Sequence, residues 1–288
     1  MDKNLIQRLL SGAVYGLIVI LCTHPIGSHL LRNLFPGIMQ YQMYYVLIAF
    51  FMLLAVWECI RIMQFNKGWE KFAALPVALL VFYRFSKKYF EHGFYFDFNL
   101  SEILGLSLIL IAIVTLFRFN EELEYNSGKL IFTVIYASLT FSYALALPYF
   151  NTENEFTLEP FFLFILIWSS DSFAFFAGKL FGKHKMAPSI SPKKTWEGFA
   201  GGVLLTLIFS FFIERQFPEL RGNWIITGFL VAVFAPLGDL VESQLKRQFG
   251  VKDSGNIIPG HGGILDRLDS FIICAPVVYL YFIIDKLI

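Results

Sequence analysis

Cysteine is scarce: Cys22, Cys59 and Cys274 are the three in 288 residues, and no two form a C-x-x-C pair. That excludes a disulfide framework and a cysteine zinc site, leaving small hydrophobes in apolar runs. Histidine numbers five, and none stands near His261 to complete a histidine metal site. An excess of one charge is missing too, since 23 basic and 22 acidic side chains leave +1, so no global field favours nucleic acid. Internal repeats, low-complexity tracts and linkers are absent, so nothing marks a second domain. Lys3 and Arg8 precede an apolar run at 9–23, but no A-x-A cleavage site follows it. The run is therefore expected to be a membrane helix and not a signal peptide.

Apolar residues are abundant. They make up 57% of the chain, with 18% aromatic, against roughly 45–50% in soluble domains even with glycine counted. Apolar runs fall at 9–23, 38–60, 72–85, 100–119, 129–150, 160–181, 199–213, 224–240 and 271–285. A span needs about 20 residues, with a range of about 17–25, so 72–85, 199–213 and 271–285 are short. Pro76 and flanking charges leave 72–85 open to a re-entrant or interfacial course. The expected fold is all-α, a polytopic integral membrane protein with about nine transmembrane helices. It is read as one membrane domain, 1–288, with 1–158 mainly scaffold and 159–288 carrying catalytic helices and cytoplasmic loops. If the amino terminus is cytoplasmic and all nine runs span, 16 basic residues lie on that side and 7 opposite, as positive-inside sorting requires. The acidic loop at 151–159 then falls outside. Glu58, near a run's end, is expected to snorkel.

Most of the chemistry-bearing residues lie in 238–269, with four of the eight aspartates and four basic residues. Read as helix, Asp239, Glu242, Ser243 and Lys246 share one face. Asp266 and Asp269 lie three apart at the start of the last apolar run. Gly260, Gly262 and Gly263 stand between, where the backbone must turn tightly or approach a ligand closely. Two helices presenting carboxylates to a glycine-rich loop make a candidate site for a divalent cation and phosphates.

Asp171 is the second informative point. An aspartate inside an apolar run costs about 2.5–3.5 kcal/mol at a helix centre on the insertion scale. It stands ten residues before Phe181, about 15 Å at 1.5 Å per residue. Either the helix outruns the bilayer or a polar cavity descends to it. The loop that follows is the most basic in the chain, with Lys179, Lys183, Lys185, Lys193 and Lys194. Lipid headgroups attract such a loop, and positive-inside sorting alone would also produce it. Ser191-Pro192 reads as an N-cap followed by proline at the first helical position, which would set lysines at a helix start that can bind an anion.

The order Ser243, Leu245, Lys246, Arg247, Lys252, Asp253, Gly255, Ile258, Pro259, His261, Gly262, Gly263, Ile264, Asp266, Arg267 and Asp269 resembles the phosphatidate cytidylyltransferase, or CDP-diacylglycerol synthase, family. No departure falls between Ser243 and Asp269. Asp171, Gly178, Phe181-Gly182, Pro188, Ser191 to Thr195 and Glu197-Gly198 resemble it too. The likeness covers roughly the carboxyl-terminal two fifths and is not specific before that.

The resemblance implies transfer of a cytidylyl group from CTP to phosphatidate, giving CDP-diacylglycerol and pyrophosphate. It implies Mg²⁺ on Asp239, Asp266 and Asp269, with Asp171 a fourth ligand or a partner of one. Lys246, Lys252 and Arg267 would hold the triphosphate or pyrophosphate. Ser191, Lys193, Lys194 and Thr195 would hold phosphatidate or nucleotide, and Asp253 belongs to the same substrate-binding set. His261, a lone histidine between glycines, reads as a general base, a phosphate donor or a backbone-turn residue, with donation to a phosphate oxygen preferred. Membrane lipids are the expected surroundings, nucleic acid is not a partner, and the family implies a homodimer. A bacterial cytoplasmic membrane, with the site on its cytoplasmic side, is the expected location. A transporter would also carry an intramembrane aspartate, but here most polar residues crowd two loops. The DGxxAR motif of CDP-alcohol phosphotransferases is absent, and a CTP-dependent lipid kinase would use the other end of the triphosphate.

Overall fold

The structure is a computed structural model and describes residues 3–31, 34–66, 68–92, 100–148, 156–260 and 262–287. The helices are α1 (Lys3–Thr23), α2 (Ile26–Leu31), α3 (Gln40–Ile62), α4 (Trp69–His92), α5 (Leu100–Arg118), α6 (Asn126–Thr133), α7 (Thr140–Ala144), α8 (Glu159–Phe181), α9 (Trp196–Gln216), α10 (Trp224–Gln248) and α11 (Leu265–Leu287). A π turn, Val134–Leu139, joins α6 to α7. Each of the nine apolar runs lies mostly on helix among the described residues, the run at 129–150 as far as Ala144. Among the described residues, α3, α5, α8, α9, α10 and α11 are long and apolar enough to cross a membrane, and α1 carries a shorter apolar stretch, Gln7–Thr23. The protein is an all-α integral membrane protein.

The runs at 199–213 and 271–285 looked short because their helices continue into polar sequence. With those ends included, α9 has 21 residues and α11 has 23. Glu242 and Lys246 ride on such an extension of α10, and Asp239 stands at the end of its run. Lipid-facing surface is plain on α5, where Leu104, Leu110 and Ile111 are exposed, and on α9, where Leu204, Ile208 and Phe212 are.

Small residues set the closest helix contacts. Ala174, Ala177 and Gly178 of α8 meet Gly198, Gly201 and Gly202 of α9, and a side chain at any of these glycines would strike the facing helix or the Thr195 side chain. That is how membrane helices approach without a hydrophobic drive between them. At Gly238 of α10 a side chain would fall on the Asp269 carbonyl of α11, so the two carboxylate-bearing helices lie backbone to backbone. Behind them Phe164 and Phe271 stack at 4.4 Å between centroids and 8° between planes, which anchors α8 to α11.

The segment at Ser191-Pro192 corrects the helix expected there. Ser191–Thr195 is strand β2, paired antiparallel with strand β1 (Lys185–Ala187). α9 starts four residues later, capped by Thr195, whose Oγ1 accepts from Gly198 N at 3.1 Å. Thr195 and Ser191 are both N-cap types. Thr195 is the one whose following residues turn helical, while the hairpin keeps Ser191 extended.

Candidate active site

A cavity of about 710 Å³ opens among α1, α8, the β1–β2 hairpin, α10 and α11. Asp171, Asp239, Asp266 and Asp269 line it together with Ser191, Lys193, Lys194, Thr195 and Arg267. The depth problem of Asp171 is thereby answered: the residue is exposed on the cavity wall. Met186, Ser191, Lys193 and Lys194 of the hairpin and Ile258 of the loop before α11 line this same cavity.

The polar face of α10 forms as its spacing requires. Ser243 Oγ donates to Asp239 Oδ1 at 3.0 Å, and Lys246 pairs with Glu242 one turn earlier. Lys194 crosses from the hairpin to lie 2.9 Å from Asp239 Oδ2 and donates to the Pro236 carbonyl at 2.7 Å. A lysine ammonium thus stands where a cation finds a carboxylate and a carbonyl.

Asp266 has a different environment. Its Oδ1 accepts from Lys246 Nζ at 2.6 Å, and its Oδ2 from Ser254 N at 3.0 Å, Ser254 Oγ at 2.8 Å and Gly263 N at 2.8 Å. Both oxygens are occupied by the loop and α10, so Asp266 ties the glycine-rich loop to the start of α11. Asp269 accepts from Ser270 N at 2.7 Å through Oδ1. Among the described residues no three carboxylate, histidine or cysteine side chains stand as a ready ligand set. By donor chemistry, Asp171, Asp239 and Asp269 still offer a hard cation carboxylate oxygens on one wall.

Lys246 is buried behind the wall, between Glu242 and Asp266. Lys252 and Asp253 are exposed on the loop and are not among the cavity-lining residues. His261 lies outside the described residues.

Three contributors were not foreseen. Gly12, Tyr15 and Gly16 bring α1 to the cavity wall, and Ser11 Oγ donates to the Pro259 carbonyl at 2.9 Å. Ser254 bridges two carboxylates. Glu58 does not snorkel: it is 1% exposed, and its carboxylate accepts from Ile264 N at 2.9 Å and Leu265 N at 2.8 Å, with Ser254 Oγ, whose one proton is shared between Glu58 and Asp266, 2.9 Å away. The signal available in sequence was the cost of a lone carboxylate in an apolar helix.

The fold and site define a membrane helix bundle with acidic and basic side chains lining one cavity. The chain matches the model of the cytidylyltransferase family over residues 12–284, and it belongs to that family. The match begins well before the stretch that carries the sequence likeness. The chain is similar to the phosphatidate cytidylyltransferase of Bacillus subtilis, with 40% identity over 185 residues, 64% of this chain and 67% of the relative. It is 32% identical to that of Haemophilus influenzae over 256 residues, 81% of this chain and 87% of the relative. It is 37% identical to that of Staphylococcus aureus strain COL over 188 residues, 64% of this chain and 70% of the relative.

Proposed function

We propose that this protein is a membrane nucleotidyltransferase that passes the cytidylyl group of CTP to phosphatidate, releasing pyrophosphate. The observation that carries the proposal is the single cavity where Asp171, Asp239 and Asp269 face Lys193, Lys194 and Arg267, in a chain whose relatives bear that name. A phosphate oxygen of phosphatidate attacks the α-phosphorus of CTP. The new P–O bond forms as the α–β bridging bond breaks, and the electron pair leaves with pyrophosphate.

A phosphomonoester, with a second pKa of about 6, is largely ionised near neutral pH, so no strong base is needed. The difficulty is holding two anions together, which calls for neutralisation and alignment. Lys193, Lys194 and Arg267 carry the positive charge for this. Lys194 and Asp239 hold each other until an anion arrives to share the ammonium.

Magnesium belongs to the proposal. Asp171, Asp239 and Asp269 would hold it, and when bound it would neutralise phosphate charge and orient the oxygens. Asp266, with both oxygens engaged, organises the loop. The cavity is proposed to open to the cytoplasm of a bacterial cytoplasmic membrane, the side to which a nine-span course with a cytoplasmic amino terminus gives 16 of the 23 basic residues. The proposal includes pairing of two copies, which cross-linking in the membrane tests. The test of the reaction is purified protein with phosphatidate, Mg²⁺ and CTP labelled at the α- or γ-phosphate. Cytidylyl transfer puts the α-label into lipid, kinase activity puts the γ-label there, and a transporter does neither.

A further inference from the structure

Side chains satisfy the amides at the start of α11. Gly263 N donates to Asp266 Oδ2 at 2.8 Å, Ile264 N to Glu58 Oε1 at 2.9 Å, Leu265 N to Glu58 Oε2 at 2.8 Å, and Asp266 N to Ser254 Oγ at 3.4 Å. Ile264, Leu265 and Asp266 carry amides that a helix leaves without partners in its own ladder, Gly263 stands just before them, and the positive end of the helix dipole favours an anion there. Glu58 supplies that anion from α3, about two hundred residues earlier in the chain.

The glycines around it fit the same account. A side chain at Gly255 would fall on Glu58 Oε1, and one at Gly263 on both Glu58 oxygens and Ser254 Oγ. Neither glycine has a left-handed backbone, unlike Gly260 at φ 76° and Gly262 at φ 85°. Space, and not backbone freedom, is what Gly255 and Gly263 provide. The object that approaches them is a carboxylate of the protein itself.

We propose that Glu58 is a positioning residue of the reaction: the internal anion on which the start of α11 is built. It is the reason Gly255 and Gly263 carry no side chain. Its grip on Ile264 and Leu265 fixes where the helix begins, and therefore how Asp266, Arg267 and Asp269 face Lys194 and Asp239. Ser254, between Glu58 Oε2 at 2.9 Å and Asp266 Oδ2 at 2.8 Å, carries the same constraint to the side chain. Glu58 itself is not among the cavity-lining residues, so it acts through α11. The link to catalysis rests on the cytidylyl-transfer proposal.

The test is Glu58→Gln, which keeps the volume but presents an NH₂ donor to a backbone donor. Turnover should fall about 100-fold, the cost of a misplacement of around 1 Å, while both KM values hold within about threefold. Hydrogen exchange at Ile264 and Leu265 should quicken while the middle of α10 stays protected. Gly255→Ala should lower turnover in the wild-type chain and add nothing in the Glu58→Ala background. Wild-type turnover in Glu58→Gln, or additive losses for Gly255→Ala and Glu58→Ala, would overturn the inference. If Glu58→Gln does not fold, Gly255→Ala decides alone: unchanged turnover defeats the proposal. If the wild-type protein moves no α-label into lipid, the functional proposal fails. The exchange rates, and the coupling of the two substitutions in thermal melting, still decide the part played by Glu58.

Discussion

Lys194 on the hairpin and Asp239 on α10 meet at 2.9 Å across the cavity wall, both part-buried. The contact joins the hairpin to α10 across some forty residues of sequence. It also leaves a carboxylate and an ammonium ready to exchange partners when phosphate arrives. Lys194→Met should lower turnover by about 10²–10³-fold, the range for losing one charge-stabilising donor. Lys194→Arg should recover part of it, because the charge remains while the reach changes. Steady-state rates with labelled CTP measure both.

Asp266 and Asp269 should separate in their effects. Asp266 accepts from four donors, so Asp266→Asn should lower the melting temperature as well as activity. Breaking one side of its buried pair with Lys246 costs on the order of 3–5 kcal/mol. Asp269→Asn should abolish turnover with little change in melting. Thermal melting in one detergent compares them.

The Glu242–Lys246 pair gives a reversal. Lys246→Met leaves Glu242 and Asp266 without their shared cation and should destabilise strongly. Adding Glu242→Gln removes one of the stranded charges, so the double variant should melt above the single one. A double variant melting lower would contradict the account of this pair.

Asp171 is expected to matter to magnesium. Binding to the folded state raises apparent stability by linkage, so Mg²⁺ should raise the wild-type melting temperature and raise that of Asp171→Asn less. Equal shifts with equal turnover would return Asp171 to a purely structural part.

Topology is checked by single cysteines in a cysteine-free chain. Lys193→Cys and Lys252→Cys should be labelled from the same, cytoplasmic face of sealed oriented vesicles. Labelling from opposite faces would defeat a shared site.

What sequence revealed and what it hid divide along chain distance. Asp239, Ser243 and Lys246 are one helical turn apart, so their face was legible, and the hydrogen bond from Ser243 to Asp239 follows from that spacing. Asp171 was legible because an aspartate in an apolar run is costly. Glu58 showed the same signal, but its place near a helix end offered snorkelling as a cheaper account, and its partners lie about two hundred residues away. Tyr15 gave no signal, since an aromatic in an apolar run is ordinary. At Ser191-Pro192 the local rule favoured a helix, yet pairing with Lys185–Ala187 held the chain extended. Local preference lost to a tertiary partner.

The carboxylate seated at the start of α11 also decides how the enzyme must attract its nucleotide. A helix amino terminus is a fixed, rigid source of positive potential, and proteins often set it against phosphate. Here that source is already neutralised by the protein's own glutamate before any nucleotide enters. In the proposed reaction, attraction of a triphosphate then falls to the exposed side chains of Lys193 and Arg267 and to Lys194, part-buried against Asp239. Such charges are screened within about 8–10 Å at ordinary ionic strength. The capture of CTP should accordingly weaken steeply with added salt, while the architecture of the helix start stays indifferent to it.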